Sequence, residues 1–167
     1  MTSIKALAFH SCTNLATINY YGTEEEWAKI GKEYGWDTDA TNYTVVYNYK
    51  NLEYKSQGDK TCWVVGIGGY DGTDIVIPST SPNDETVVGI GDSAFSGNTK
   101  ITSVYIPTSV QSIGANAFYG CTNLSEVNLG NVANGLKQIG DNAFRDCSKI
   151  TKMIIPTSVG YFGASAF

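Results

Sequence analysis

Residues 113–129 read IGANAFYGCTNLSEVNL, and this stretch decides the fold because the chain repeats it. Residues 90–106, IGDSAFSGNTKITSVYI, precede it, and residues 139–155, IGDNAFRDCSKITKMII, follow it. The copies place Phe95, Phe118 and Phe144 alike, and a further Ala-Phe pair ends at Phe167; the spacings are 23, 26 and 23 residues. A period in this range marks a solenoid, in which each unit has an apolar face it cannot hide alone and buries it by stacking on its neighbours. The extra residues of the middle copy fall around residues 130–135, GNVANG, which suit a loop on the edge of the stack.

The shared pattern is I-G-x-x-A-F-x-x-C-x-x-L-x-x-V-x-I-P, and its last part is a strand. Within residues 124–129, Leu124, Val127 and Leu129 are expected to face the core, and Ser125, Glu126 and Asn128 to face outward. The small Ala94, Ala117 and Ala143 allow close packing, and the Phe after each fills the layer between the strand and the opposite wall. Pro107 and Pro156 stop the strand where no further donor is wanted. Cys12, Cys121 and Cys147 share one position, three after the Phe, and Asn98 takes it in the remaining copy. A position that accepts Cys or Asn is one where a small polar side chain satisfies turn backbone, so the three thiols read as buried and structural. A Cys121–Cys147 bridge stays open, since it needs only layers whose Cα atoms lie within about 7 Å. No two cysteines have zinc-finger spacing. Cys62 lies outside this ladder and is expected to pack in a hairpin.

Taken in order, residues 4–22 end a first array, because Phe9, Cys12, Leu15 and Ile18 repeat the spacing of Phe118, Cys121, Leu124 and Val127. Residues 23–34 then predict a short amphipathic helix that covers the end of that array. Thr23 caps it with Glu26 at capping-box spacing, Trp27, Ile30 and Tyr34 share a face, and Gly35 terminates it. Residues 43–49, YTVVYNY, are strand-like. Residues 52–55 and 61–67 predict two strands joined by the polar turn 56–60, a hairpin. Residues 75–78, IVIP, match residues 104–107 and open the second array, and residues 79–86 form a longer polar loop. The expected organisation is therefore residues 1–50, the end of a first array with its closing helix and strand. Residues 51–86 follow as a hairpin cap with the first strand of the second array, and residues 87–167 as an array that stops mid-repeat. Because Met1 runs at once into a repeat and Phe167 stops within one, the sequence reads as a piece of a longer array.

The motifs IGDSAF, IGANAFYGCTNL, IGDNAFRDCSKI and the two IPTSV segments at 106–110 and 155–159 resemble the BspA-type leucine-rich repeats of bacterial and protozoan surface proteins. The resemblance covers residues 4–22 and 75–167, and GTEEEW at 22–27 resembles the segment that commonly closes such arrays. It implies a curved leucine-rich-repeat solenoid with a parallel β-sheet on the concave face and short irregular or helical returns. In this chain a short α-helix and a β-hairpin are expected between two partial arrays. The resemblance also implies adhesion to host proteins, other cells or matrix.

Composition narrows the function classes. Of 167 residues only 16% are charged, below the roughly one quarter usual for globular chains, and the net charge is −5. An acidic surface argues against non-specific nucleic-acid binding, which needs a basic face to replace phosphate counterions, and offers no polybasic membrane anchor. No apolar run approaches the ~20 residues needed to span a bilayer, so no membrane insertion is expected. No secretory leader is visible at residues 1–12.

Reactive chemistry is thin. His10 is the single histidine, at a repeat position that elsewhere holds Ser96, Tyr119 and Arg145, so it reads as a variable surface residue. Asp71 with Asp74, and Asp37 with Asp39, sit in turns without the spacing of a calcium loop. Phosphate loops, dinucleotide fingerprints and nucleophile elbows are absent from the sequence. Asn42-Tyr-Thr44 and Asn123-Leu-Ser125 fit the glycosylation sequon, which has meaning only outside bacteria. No cofactor and no metal are expected. The outward strand positions remain: Asn19, Val76, Tyr105, Asn128 and Ile154 at the centre, and Thr17, Asp74, Ser103, Glu126 and Lys152 two places earlier.

The candidate binding set is Tyr105, Ile154, Asn128, Glu126, Lys152 and Ser103, because aromatic and aliphatic anchors on a rigid face suit protein or glycan recognition. The expected function is a non-catalytic extracellular or cell-surface adhesion module whose partner is a protein or glycan of a host or neighbouring cell. The alternative is a structural spacer in a large surface protein, and a hydrolytic enzyme is the weakest reading. Head-to-tail self-association follows if one chain's last turn stacks on another's first.

Overall fold

The computed structural model describes residues 3–6, 8–20, 24–34, 36–37, 43–47, 52–129 and 135–167. The expected cap Thr23, the helix terminator Gly35, Asp39, Asn42, the end of the strand at residues 48–49 and the loop residues 130–134 lie outside them. The chain divides into two compact units, Met1–Lys50 and Asn51–Phe167.

The first unit holds β1 (Ser3–Ile4), β2 (Thr17–Tyr20), α1 (Glu24–Lys29), β3 (Gly31–Lys32) and β4 (Thr44–Tyr47). β1 pairs in parallel with β3, and β2 with β4, so the strands after α1 stack on those before it as successive solenoid turns do. Two backbone bonds tie the layers: Glu33 N–H donates to Ile4 O at 3.0 Å, and Phe9 N–H to Trp36 O at 3.1 Å. Trp36 stands where the next turn would carry Phe, with its ring edge-on to Phe9 at 5.6 Å. The helix is therefore shorter than its sequence signals suggest. Glycine is a poor helix former, and Gly31 instead enters the ladder opposite Ser3. Ile30 is buried as expected, but Tyr34, placed on the same helical face by periodicity, is fully exposed.

The second unit opens with a hairpin, β5 (Glu53–Ser56) antiparallel to β6 (Thr61–Gly66). Gly58 at φ 86° makes its turn. Then come β7 (Asp74–Val76), β8 (Thr86–Ile90), β9 (Ser103–Tyr105), β10 (Ser112–Ile113), β11 (Glu126–Asn128), β12 (Gln138–Ile139) and β13 (Tyr161–Phe162). They form two sheets. The front sheet, in order β11-β9-β7, is built from the strand that the repeat pattern announces. The back sheet, in order β13-β12-β10-β8-β6-β5, is built from the Ile-Gly half of the repeat, and the hairpin is its first member. All its pairings beyond the hairpin are parallel.

The core lies between these sheets. Ile75, Val104 and Val127 point in from the front, and Val64, Ile90, Ile113 and Ile139 from the back. Phe95, Phe118 and Phe144 stack between them at 5.0 and 5.1 Å, and Leu124 and Leu129 are buried beside them. Each such side chain contributes roughly 1.5–3 kcal/mol by leaving water. The return segments bond directly to the next turn: Phe95 N–H to Ala117 O, Phe118 N–H to Ala143 O and Phe144 N–H to Ala166 O, each at 2.8 Å. The buried Ala residues before each Phe permit that approach.

Candidate functional site

The cysteine ladder is structural in the second unit. Cys121 Sγ donates to Phe95 O at 3.1 Å and Cys147 Sγ to Phe118 O at 3.0 Å, so each thiol satisfies a carbonyl of the preceding turn. Hydrogen bonding with the neighbouring Cys147 thiol, together with burial, pushes the Cys121 thiol far above its ordinary range. Both are free thiols, so the bridge left open by the sequence is not formed. Asn98 does the same work differently, its Oδ1 accepting from Lys100 N–H at 2.8 Å and Ile101 N–H at 3.2 Å. Cys62 is buried in the hairpin strand. Cys12 corrects the expectation, because it is exposed.

His10 is exposed. Asp37 accepts a hydrogen bond from Tyr43 Oη at 2.9 Å; burial, and then this carboxylate, push the tyrosine pKa up to about 12. Among the described residues no three His, Cys, Asp or Glu side chains gather as a metal site, and no helix is long and apolar enough to cross a membrane. Asp74 serves the front sheet. Its Oδ1 accepts from Ser103 Oγ at 2.7 Å and Thr102 Oγ1 at 3.1 Å, and Thr73 Oγ1 donates to its Oδ2 at 3.3 Å. Chiefly the Ser103 bond holds its carboxyl below the usual carboxylate range.

A group with a depressed native pKa stabilises the fold above its unfolded pKa, about 3.9 for Asp, and loses that contribution as pH falls through the native value. The melting-temperature difference between the parent chain and Asp74→Asn is therefore expected to be positive at pH 7 and to shrink below about pH 4. Thermal unfolding followed by circular dichroism across this range checks it.

The six candidate binding residues come together unevenly. Ser103 and Tyr105 lie on β9, opposite Glu126 and Asn128 on β11. Ser103 is committed to Asp74. Val76, the equivalent of Tyr105 one turn earlier, is buried and presents no surface. Lys152 and Ile154 are not on a strand, because residues 151–155 do not join β11 in the sheet. Beside β11 lies a groove of about 790 Å³. Ser125 to Leu129 and Tyr105 line one side, and Thr151, Lys152 and Ile154 the other. Tyr105 is 37% exposed and Ile154 74% exposed, so the groove pairs two apolar anchors with a carboxylate and an ammonium group.

The chain's relatives agree with this architecture. Residues 74–167 match the BspA type leucine rich repeat region in six copies. The chain belongs to the BspA-type leucine-rich repeat family, whose repeats serve as protein-binding or structural modules. It is similar to the leucine-rich repeat protein of T. pallidum at 30% identity, over 68% of this chain and 51% of that one, with a TM-score of 0.62. A leucine-rich repeat protein of Bacteroides capillosus is 30% identical over 68% of this chain and 83% of its own, with a TM-score of 0.60. A leucine rich cell surface protein of Faecalibacterium prausnitzii is 31% identical over 71% of this chain and 32% of its own, also at 0.60. The chain thus spans about half the length of the T. pallidum protein. No curated protein sequence matches it.

Proposed function

We propose that this chain is a non-catalytic binding module of a cell-surface protein, and that it holds a protein segment in the groove beside β11. The groove carries the reading: Tyr105 and Ile154 supply apolar contact, and Glu126 and Lys152 supply opposite charges for polar register. A rigid strand on one side keeps the ordering cost of binding low. The surface location draws support from the F. prausnitzii relative, described as a cell surface protein. The absence of catalysis draws support from the leucine-rich-repeat fold, whose family is generally non-catalytic. The second reading, a spacer that presents other domains, is favoured by the relatives' greater length, of which this chain covers 31% and 32% in two cases.

Tyr105→Ala and Ile154→Ala are each expected to weaken capture of a surface-protein partner about tenfold while leaving the melting temperature within a few degrees, since both side chains are exposed. Pull-down from host and neighbouring-cell surface extracts, followed by titration of the recovered protein, checks this. Recovery of nothing, or unchanged affinity in both variants, supports the spacer instead.

A further inference from the structure

The outer surface of the back sheet carries a second feature, independent of the groove. One row of the ladder crosses all six strands: Lys55, Trp63, Gly89, Ser112, Gln138 and Tyr161 are successive register partners. Their chain neighbours Cys62, Val64, Ile90, Ile113 and Ile139 are buried, so the row points away from the core. At Gly89 the sheet has no side chain, and Trp63 occupies the space. A Cβ placed on Gly89 would stand 2.7 Å from both Cδ2 and Cε2 of the indole and 3.0 Å from Cε3. Near-equal distances to ring-fusion atoms mean that the face of the indole, not its edge, lies on the glycine. The opposite face is turned from the sheet, and Trp63 is half-buried rather than covered.

Beyond this platform the row becomes polar and uncharged. Exposed Gln138 donates from Nε2 to Ser112 Oγ at 2.8 Å, which fixes the amide and leaves its carbonyl oxygen for a ligand. Exposed Tyr161 carries the row onto β13. Adjacent strands lie 4.7–4.9 Å apart, so Trp63 and Tyr161 are about 19 Å apart along it. Lys55, at the far end, is the one charge in the row.

We propose that this row is a binding track for a neutral oligosaccharide. A flat aromatic face takes the C–H side of a sugar ring, and a fixed amide and a phenol take hydroxyl groups. The lack of charge from Trp63 to Tyr161 excludes acidic or basic ligands as the preferred class, and this span suits a chain of sugars over a single one. A protein hot spot would instead call for an apolar anchor in a pocket, and here the aromatic surface is flat.

The test is titration of the purified chain with cellotetraose, chitotetraose and mannotetraose, followed by tryptophan fluorescence and calorimetry. At least one is expected to give a saturable response. Trp63→Ala should weaken it about tenfold or more, the loss of a principal anchor. Gly89→Ala, which displaces the indole, and Gln138→Ala, at an exposed position, should weaken it several-fold, and Tyr105→Ala should leave it unchanged. Thermal unfolding of each variant separates lost binding from lost fold. No saturable response to any of the three sugars overturns the proposal. So does unchanged affinity in both Trp63→Ala and Gln138→Ala, or a response to an uncharged peptide with none to the sugars.

Discussion

Phe118→Ala is expected to lower the stability of the unit formed by residues 51–167 by about 3–5 kcal/mol, the range for emptying a buried aromatic site. Phe118 is fully buried, with Phe95 at 5.0 Å and 16° on one side and Phe144 at 5.1 Å and 3° on the other. Backbone bonds from Phe118 N–H to Ala143 O and from Cys121 N–H to Phe118 O hold the layers in place, so the turns cannot collapse into the hole. Domains of this size have only about 5–15 kcal/mol in total, so the midpoint of urea unfolding should fall by a large fraction of its value. Phe167→Ala is the matched control. That ring stacks on Phe144 at 5.9 Å but is 57% exposed, and its removal leaves no enclosed cavity. Equal losses from the two variants would show that the stack is not the core of the unit.

The same contrast explains how much of the molecule could be read from its residues. Phe118, Cys121, Leu124 and Val127 each do in one turn what their counterparts do in the next, so the repetition itself reports their burial. The Ile-Gly half repeats as plainly but did not announce a back sheet, because β10, β12 and β13 are two residues each and too short to show alternation. Residues 24–34 misled for another reason. Their acidic first turn and spaced aromatics are local helix signals, whereas the pairing of Gly31 and Lys32 with Ser3 and Ile4 depends on residues 28 positions away. Of the binding candidates, Tyr105 and Asn128 followed from strand phase. The separation of Ile154 from β11 did not, since residues 151–155 keep the repeat pattern yet pair with no strand. The Trp63 platform was also hidden. It exists because Gly89 is its register partner 26 residues on, and only the parallel pairing of β6 with β8 brings them together.

Gly140→Ala carries the second large effect, and its cause is contact rather than backbone conformation. Gly114, Gly140 and Gly163 occupy one column, and each donates its N–H at 2.8 Å to the preceding turn, to Ile90 O, Ile113 O and Ile139 O. A Cβ on Gly140 would stand 2.7 Å from Ala115 N and Gly114 C and 3.0 Å from Gly114 O. A Cβ on Gly114 would meet Asp92 N and Gly91 C, again at 2.7 Å. These are backbone atoms held in a hydrogen-bonded ladder, so they cannot swing aside as the end of a side chain would. The turns must separate, which stretches the Gly140 to Ile113 bond and loosens the Phe118–Phe144 layer beneath it. Gly97 offers the opposite case, with φ of 71° and nothing within 4 Å of an added Cβ. Gly97→Ala is expected to cost about 1–2 kcal/mol, the strain of a left-handed residue. Gly140→Ala should cost about 3 kcal/mol, the upper end for overpacking, and should raise amide hydrogen exchange across residues 139–144. A Gly140→Ala chain more stable to urea than Gly97→Ala would mean that the layers yield, and that their spacing is not set by this glycine column.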